Sequence, residues 1–174
     1  MEPVHAAAVD TPIGTLRLAS TSRGLAYVEL PHASGRGLEG FLRRSLPGAR
    51  CEQGFAPNRA AAVQIVEYLE GKRTVFELEI DPRGTGFQRS VWQALLAIPY
   101  GETRSYTELA RSIGRPDAAR AAGSANGANP LAIVIPCHRV IAADGSLGGY
   151  GGGLALKARL LAMERSRPTG ARLL

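Results

Sequence analysis

The chain has little of what marks a secreted, membrane-spanning or disulfide-stabilised protein. Only two of its 174 residues are cysteine, too few for a disulfide framework, so we expect free thiols in a reducing compartment. No apolar run approaches the roughly 20 residues that span a bilayer, and no membrane partner is expected. The N-terminus has neither a basic segment nor a long apolar one. We therefore predict a cytoplasmic protein without a secretory signal.

Clustered metal ligands are missing as well. The two cysteines and three histidines are scattered along the sequence, and no pair of them has the spacing of a zinc site. The sequence therefore predicts no metal centre. Cys51 has no partner that the sequence identifies, and we interpret it as a bystander.

Basic residues outnumber acidic ones. The net charge is +6 and the isoelectric point is about 9.9, which favours a polyanionic partner such as nucleic acid. A basic enzyme from an arginine-rich proteome has the same composition, so charge alone does not decide the matter. The length allows one good-sized domain or two small ones.

The N-terminal half has the pattern of a small α/β unit. Residues 13–20 and 24–30 alternate apolar and polar side chains on either side of a Ser-Arg-Gly turn, which predicts a β-hairpin. Residues 31–57 are rich in proline, glycine and charge and carry no clear signal.

A helix and a further strand are predicted after that segment. Residues 58–71 have helical periodicity and end at a glycine, and residues 74–80 alternate like a strand. The predicted helix face contains Val63, Val66 and Leu69 or Tyr68, and the predicted strand face contains Phe76, Leu78 and Ile80.

Asp81–Gly86 has turn chemistry and little to bury, so it predicts a domain boundary. We expect domains at residues 1–82 and 83–166, followed by a disordered tail at 167–174. Helical patterns dominate the second domain, beginning with residues 87–99, whose stripe consists of Phe87, Val91 and Leu95.

Two further short helices have the outline of a helix-turn-helix. Ser105 and Glu108 form a capping-box pattern that opens one helix, and Pro116 is placed to start the next. This outline is weak evidence for DNA binding, because packed helices often share it. The second helix is nearly all Ala, Gly, Ser and Asn, with Arg120 as its one long side chain. Such a helix suits close packing against another helix or against a widened minor groove.

Cys137 stands between Pro136 and His138 in the run PCHRV. Free cysteines are more often inert core residues than nucleophiles. Pro136 favours the start of a helical turn, where unpaired N–H groups stabilise a thiolate. His138 supplies a base, acting through a bridging water because adjacent side chains diverge, and Glu164 in the predicted helix 154–165 can orient it.

These motifs together resemble the O6-alkylguanine-DNA alkyltransferases. The resemblance rests on PCHRV, on RSYTELA and AARAAGSANGANP before it and on GGYGGG after it, and it extends from Gly86 to about Glu164. It implies an α/β (α+β) fold, with an RNase H-like α/β domain followed by a helical domain that holds a winged-helix-like helix-turn-helix. It also implies binding of duplex DNA through the minor groove, flipping of the damaged guanine, and single-turnover transfer of its O6-alkyl group to a cysteine without any cofactor. The protein is expected to be a monomer that can act cooperatively on DNA.

The resemblance assigns a role to individual residues of this chain. Cys137 would accept the alkyl group, His138 would deprotonate it through water, and Glu164 would orient His138. Asn129 would brace the turn that carries the cysteine, and Tyr106 would donate to N3 of the purine. The backbones of Cys137 and Val140 would accept from the guanine amino group, while Tyr150 and Gly151 would line its pocket. Arg120 would fill the gap left by the flipped base, and the DNA-contacting residues would be Arg120, Ala119, Ala121, Ser124 and Arg139.

The chain departs from the family pattern at two glycines. Gly149 stands where many members carry a polar residue, and Gly151 stands where some carry serine. A side-chain donor near O6 would then be missing, which affects substrate preference rather than the reaction. The zinc site of some relatives has no counterpart in this sequence.

Three alternatives remain open at this level. A non-enzymatic lesion binder of the same fold would lack the acceptor cysteine, which this chain has. A Cys–His hydrolase would bring its pair from distant parts of the sequence. A helix-turn-helix regulator would bind one duplex sequence whether or not the DNA is alkylated.

Overall fold

The computed structural model describes residues 1–32 and 37–167. Within these residues the chain folds into two compact units, one formed by Met1–Arg83 with Pro130–Val134 and the other by Gly84–Asn129 with residues 135–167. The predicted tail lies outside the described residues apart from Arg167. Within the described ranges, no helix is both long and apolar enough to cross a membrane.

The first unit is built on a four-stranded sheet with the order β3-β2-β1-β4. Its strands are β1 (Pro3–Thr11), β2 (Gly14–Thr21), β3 (Gly24–Glu29) and β4 (Arg50–Gln53). β2 pairs antiparallel with both β1 and β3, whereas β4 runs parallel to β1. The predicted hairpin is therefore confirmed, and the sequence did not reveal β1 or β4.

Two helices belong to the same unit, α1 (Gly37–Ser45) and α2 (Arg59–Leu69). The sheet and α1 share a core made of small and aliphatic side chains, with Phe41 stacked on Tyr27 at 4.7 Å between ring centroids. Buried side chains of this core are Val4, Ala6, Ala19, Ala26, Leu38, Phe41 and Leu46.

The predicted helix at residues 58–71 exists as α2, and its predicted face is confirmed at Tyr68 and Leu69 but wrong at Val63. Val63 is 52% exposed, and the buried face of the helix is rotated away from it. That face consists of Ala61, Ala62, Ile65, Tyr68 and Leu69.

The predicted strand at residues 74–80 is also wrong. Its side chains do alternate between exposed and half-buried positions, but only Ile80 forms an isolated bridge, to Leu25. The side chain of Gln64 bonds both backbone groups of Glu77. The backbone N–H and C=O of Glu77 are therefore paired with a side chain of α2 and not with a neighbouring strand.

The second unit is mainly helical, and it includes a two-stranded parallel sheet of β5 (Arg104–Ser105) and β6 (Val140–Ile141). The predicted helices of this half are confirmed, and the structure places the last one at the residues expected. These helices are α3 (Gly86–Leu96), α4 (Tyr106–Ser112), α5 (Ala119–Gly127) and α6 (Leu154–Arg165).

Capping side chains fix where α3 and α4 begin. The predicted capping box of Ser105 and Glu108 is present at α4, and a second one, formed by Thr85 and Gln88, opens α3. Pro116 was expected to start α5 but lies in the preceding turn, because the helix begins at Ala119. α4, this turn and α5 form the predicted helix-turn-helix.

Trp92 joins α3 to α5. Its indole is buried, and Nε1 donates to the carbonyl of Ala125 at 2.8 Å. α5 is therefore held to the core near its C-terminal end, where the next residue is Asn126.

Candidate active site

Cys137 begins a single 3₁₀ turn, Cys137–Arg139, and Pro136 is its N-cap residue. The amide of Arg139 donates to the carbonyl of Pro136 at 3.0 Å. The helical turn predicted from the proline is therefore confirmed. The turn is buried, and the cysteine is 6% exposed.

Two asparagines, Asn126 in the last turn of α5 and Asn129 just after the helix, hold the backbone on either side of the thiol. Nδ2 of Asn129 donates to the carbonyl of Ile135 at 2.8 Å, and Nδ2 of Asn126 donates to the carbonyl of Cys137 at 3.4 Å. Asn129 also makes a side-chain hydrogen bond to the Cys137 thiol. Asn129 thus bonds both the backbone before the thiol and the thiol itself, while Asn126 was not singled out in the sequence.

Burial raises the pKa of the Cys137 thiol above its usual value. The Asn129 hydrogen bond, the charge of Lys157 and the N–H groups of Cys137 and His138 act in the opposite direction but do not outweigh burial. The expected N–H stabilisation is therefore present, yet the thiol is protonated at neutral pH. A base is needed before it can act as a nucleophile.

His138 is fully buried beside Glu164, with Nε2 2.8 Å from Oε2. A carboxylate only accepts hydrogen bonds, so Nε2 carries the proton and Nδ1 is the basic nitrogen. Burial lowers the pKa of His138 despite the opposing hydrogen bond and charge of Glu164. The imidazole is therefore neutral and able to take up a proton.

Arg139 forms a two-point ion pair with the same carboxylate. Its Nε lies 2.8 Å from Oε1 of Glu164 and Nη2 lies 3.0 Å from Oε2, while Nη1 donates to the carbonyl of Ile98 at 2.7 Å. Burial alone would raise the pKa of Glu164, but hydrogen bonds from His138 and Arg139 lower it to about 2.

This placement corrects the expectation that Arg139 contacts DNA. Its guanidinium is buried, and its donors are directed to Glu164 and to a backbone carbonyl. The residue instead fixes the carboxylate that orients His138. The sequence did not reveal this partner, because Glu164 is 25 positions away on α6.

Tyr106 lies between two glycines. A Cβ on Gly148, whose φ is +69°, would stand 2.8 Å from the tyrosine Oη, and a Cβ on Gly123 of α5 would stand 3.4 Å from its ring. Burial raises the pKa of the phenol, and a hydrogen bond from the Gly149 amide acts to lower it. The hydroxyl is thus held at the glycine loop that follows Cys137.

Lys157 of α6 is a fully buried residue that sequence reasoning missed. Its Nζ donates to the carbonyls of Val140 at 2.6 Å, Gly149 at 3.2 Å and Leu147. The signal was available, since Lys157 occurs at helical spacing with buried Leu160, Leu161 and Glu164. The ammonium thus links the two ends of segment 140–149, which precedes the expected pocket residues Tyr150 and Gly151.

The remaining expected pocket residues lie on the same loop. The hydroxyl of Tyr150 is buried and has no hydrogen-bond partner among the residues that the structure describes, while Gly151 is exposed. No group of three or more histidine, cysteine or acidic side chains in the described ranges could hold a metal ion.

The expected DNA contacts other than Arg139 lie on one helix, α5. Arg120, Ala121 and Ser124 of α5 are exposed and Ala119 is half-buried. Fold and site together define a helix-turn-helix domain that carries a buried cysteine beside an imidazole–carboxylate pair.

Comparison with known proteins identifies the family to which such a domain belongs. The family model for the DNA-binding domain of 6-O-methylguanine DNA methyltransferase matches residues 86–166. A methylated-DNA–protein-cysteine methyltransferase of Mycobacterium tuberculosis is 44% identical over 175 residues, covering 94% of each chain. One from Methanosarcina barkeri is 46% identical over 159 residues, covering 91% of this chain and 95% of the relative.

Solved structures agree with the sequence relatives. The crystal structure of Mycobacterium tuberculosis OGT in complex with DNA superposes with a TM-score of 0.80 at 44% identity, covering 97% of this chain and 96% of that one. The chain belongs to the family of methylated-DNA–protein-cysteine methyltransferases. The resemblance and the fold class predicted from the sequence are thereby confirmed.

Proposed function

We propose that this protein repairs DNA directly, by moving an alkyl group from O6 of guanine to the Sγ of Cys137. The sulfur attacks the alkyl carbon, an S–C bond forms and the O6–C bond breaks with its electron pair passing to the purine. The product is a thioether, so each molecule acts once. No cofactor enters this balance.

The thiol proton passes to His138. The imidazole is neutral, and its Nε2–H is engaged by Glu164, so Nδ1 takes up the proton by way of a bridging water. The imidazolium that results lies against an ionised carboxylate, which stabilises it. Arg139 holds that carboxylate in place.

Tyr106 supplies a proton to the departing purine. Its hydroxyl oxygen accepts from the Gly149 amide, so the O–H hydrogen is available to donate to another group. Donation to N3 of the purine offsets the negative charge that develops on the base. The carbonyls of Cys137 and Val140, with Tyr150 and Gly151, receive the guanine.

The base reaches this site by flipping from duplex DNA. α5 presents small side chains at Ala119, Ala121 and Ser124 with exposed Arg120 among them, which suits close approach in the minor groove. Arg120 occupies the space that the base vacates. The protein acts as a monomer in the cytoplasm.

The observation that carries this proposal is the buried thiol on a turn beside the His138–Glu164 pair. The test is the intact mass of the protein after incubation with a short duplex containing one O6-methylguanine. We expect a gain of one methylene unit per molecule that saturates at one.

Two cysteine variants locate the transfer. Cys137→Ser should gain no mass, and Cys51→Ser should gain as much as the wild type, because Cys51 is the other thiol and is exposed. No gain on a fully reduced wild-type protein would contradict the proposal and favour a lesion binder or a regulator.

A further inference from the structure

The four-stranded sheet of the first unit has an open edge at β4. This strand is last in the order β3-β2-β1-β4, and within residues 1–32 and 37–167 no other strand pairs with its outer side. The opposite edge strand, β3, is bridged by Ile80 and Leu131. All four residues of β4 are exposed. An open edge presents unpaired N–H and C=O groups to which another strand can add.

The hydrogen bonds on the inner side of β4 show which backbone groups face outward. The amides of Arg50 and Gly54 donate to the carbonyls of Glu2 and Ala6, at 3.0 and 2.9 Å. Because successive residues of a strand direct their backbone groups to opposite sides, the residues at 51 and 53 direct their N–H and C=O away from β1. In the part of the chain that the structure describes, these outward groups have no backbone partner.

The side chains of β4 are complementary to those of a second β4. Arg50 and Glu52 lie on one face of the strand and form an ion pair at 2.8 Å, with their side chains 65% and 44% exposed. If a second copy pairs antiparallel about a twofold axis through Cys51, Arg50 of each copy lies opposite Glu52 of the other. Opposite charges at such cross-strand positions stabilise the pairing.

The same charges disfavour the neighbouring registers. A twofold axis through Arg50 would set two guanidinium groups opposite each other, and an axis through Glu52 would do the same with two carboxylates. Like charges directly opposite destabilise a strand pair. Of the registers centred on residues 50, 51 and 52, only the one centred on Cys51 therefore brings opposite charges together.

We propose that the outer edge of β4 is a self-association surface, to which a second copy of this chain adds its own β4 antiparallel about a twofold axis through Cys51. The two sheets then become one continuous sheet, and the interface is the same patch on both copies. The strand is short, so the dimer is weak and depends on protein concentration. Each copy keeps its own Cys137, so alkyl transfer remains the act of a single molecule and the inference does not rest on it.

Sedimentation equilibrium of the reduced full-length chain tests the pairing through its charges. Arg50→Glu gives an edge with two acids and Glu52→Arg gives one with two bases, so each variant alone should self-associate about tenfold more weakly than wild type. An equimolar mixture of the two should associate as wild type does, because the acidic edge of one copy then faces the basic edge of the other. If the ion pair matters only within one chain, mixing restores nothing.

Lys72→Glu is the matched control for a change of surface charge. Lys72 is exposed and pairs with the partly exposed Glu70, away from β4 in the sequence. This variant carries the same change in net charge as Arg50→Glu, and it should associate as wild type does.

Cys51 is an exposed thiol that reports the register. Residues that exchange both backbone bonds across an antiparallel pair have Cα atoms about 5.5 Å apart, inside the roughly 4.4–6.8 Å that a disulfide spans. Diamide oxidises two thiols to a disulfide and takes up their two electrons and two protons at its N=N bond. Wild type and Cys137→Ser should form a disulfide-linked dimer, Cys51→Ser should form none, and Arg50→Glu alone should form it about tenfold more slowly.

Reversible association that is weakened in both charge variants and restored in their mixture supports the inference. Wild type that stays monomeric at millimolar concentration overturns it. A dimer that both charge variants retain also overturns it, because another surface then holds the copies together. A disulfide that forms as fast in Arg50→Glu as in wild type reports random collision and counts against the proposed register. None of these results changes the mass gain at Cys137, so the repair function is tested separately.

Discussion

Nε2 of His138 lies 2.8 Å from Oε2 of Glu164, and both side chains are buried. Nε and Nη2 of Arg139 donate to the same carboxylate, and the Gly101 amide donates to Oε1 of Glu164 at 3.1 Å. One carboxylate therefore sets the tautomer of the base and joins α6 to the turn that carries the thiol. A substitution of Glu164 therefore changes both the ion pair with Arg139 and the hydrogen bond to His138.

Glu164→Gln should impair both stability and transfer. It leaves Arg139 buried without a counter-charge, which costs about 3 kcal/mol, and it removes the ion that stabilises the imidazolium. We expect a large fall in the single-turnover rate and a lower unfolding midpoint in urea. Glu102→Gln is the matched control, because its pair with Arg104 is partly exposed and such pairs contribute at most about 1 kcal/mol.

Acid should remove the stabilisation that Glu164 provides. Its pKa is about 2 in the folded protein against an ordinary value of 4.5, so its contribution is complete above pH 4.5 and is lost as the pH falls toward 2. The shift corresponds to roughly 3 kcal/mol. Unfolding free energies of wild type and Glu164→Gln should therefore converge between pH 4.5 and 2.

His138 adds an earlier acid effect. Burial holds its pKa below the ordinary 6.5, so below pH 6.5 the unfolded chain takes up a proton that the folded chain does not. Stability should thus begin to decline near pH 6.5 in both proteins. A constant gap between wild type and Glu164→Gln down to pH 3 would contradict the assignment to Glu164.

Gly148→Ala should act through Tyr106. The new methyl group would stand 2.8 Å from Oη, at a φ of +69° that side chains rarely adopt. The phenol must move, so the rate of transfer should fall. In a Tyr106→Phe background the same substitution should have a smaller effect on the rate, which a double-mutant cycle measures. Equal effects in both backgrounds would mean that the loop backbone alone is responsible.

Lys157→Met should loosen the loop after Cys137. The ammonium holds the carbonyls of Val140, Leu147 and Gly149, and methionine fills the space without donating. We expect faster amide hydrogen exchange across residues 140–149 and slower transfer. Lys72→Met is the control, since Lys72 is exposed and pairs with the partly exposed Glu70. Unchanged exchange in Lys157→Met would show that the loop is held without the ammonium.

The sequence predicted the features that depend on local chemistry. The proline-started turn at Cys137, the capping box of Ser105 and Glu108 and the hairpin all follow from residues a few positions apart, so a short pattern contains the whole cause. The roles proposed for the site residues come from the resemblance of the motifs to the family.

Features that depend on distant partners were predicted less well. Residues 74–80 alternate as a strand does, but whether a ladder forms depends on what lies alongside, and there the Gln64 side chain satisfies Glu77. Arg139 has the charge of a DNA contact, yet Glu164 is its partner. Lys157 and Asn126 donate to backbone carbonyls of the turn and loop around Cys137. The sequence does not show which carbonyls the fold brings next to these side chains.

Arg120→Ala gives the sharpest test of base flipping. The side chain is exposed on α5, and its proposed role is to fill the stack after the guanine leaves, not to touch the reacting atoms. The variant should repair O6-methylguanine in duplex DNA far more slowly than wild type, while reacting with the free alkylated base at nearly the wild-type rate. Arg111→Ala is the control, because Arg111 is an exposed arginine on α4 whose loss should weaken duplex binding only slightly. Equal losses on duplex and free base would mean that Arg120 supports the fold or the pocket instead of the vacated stack.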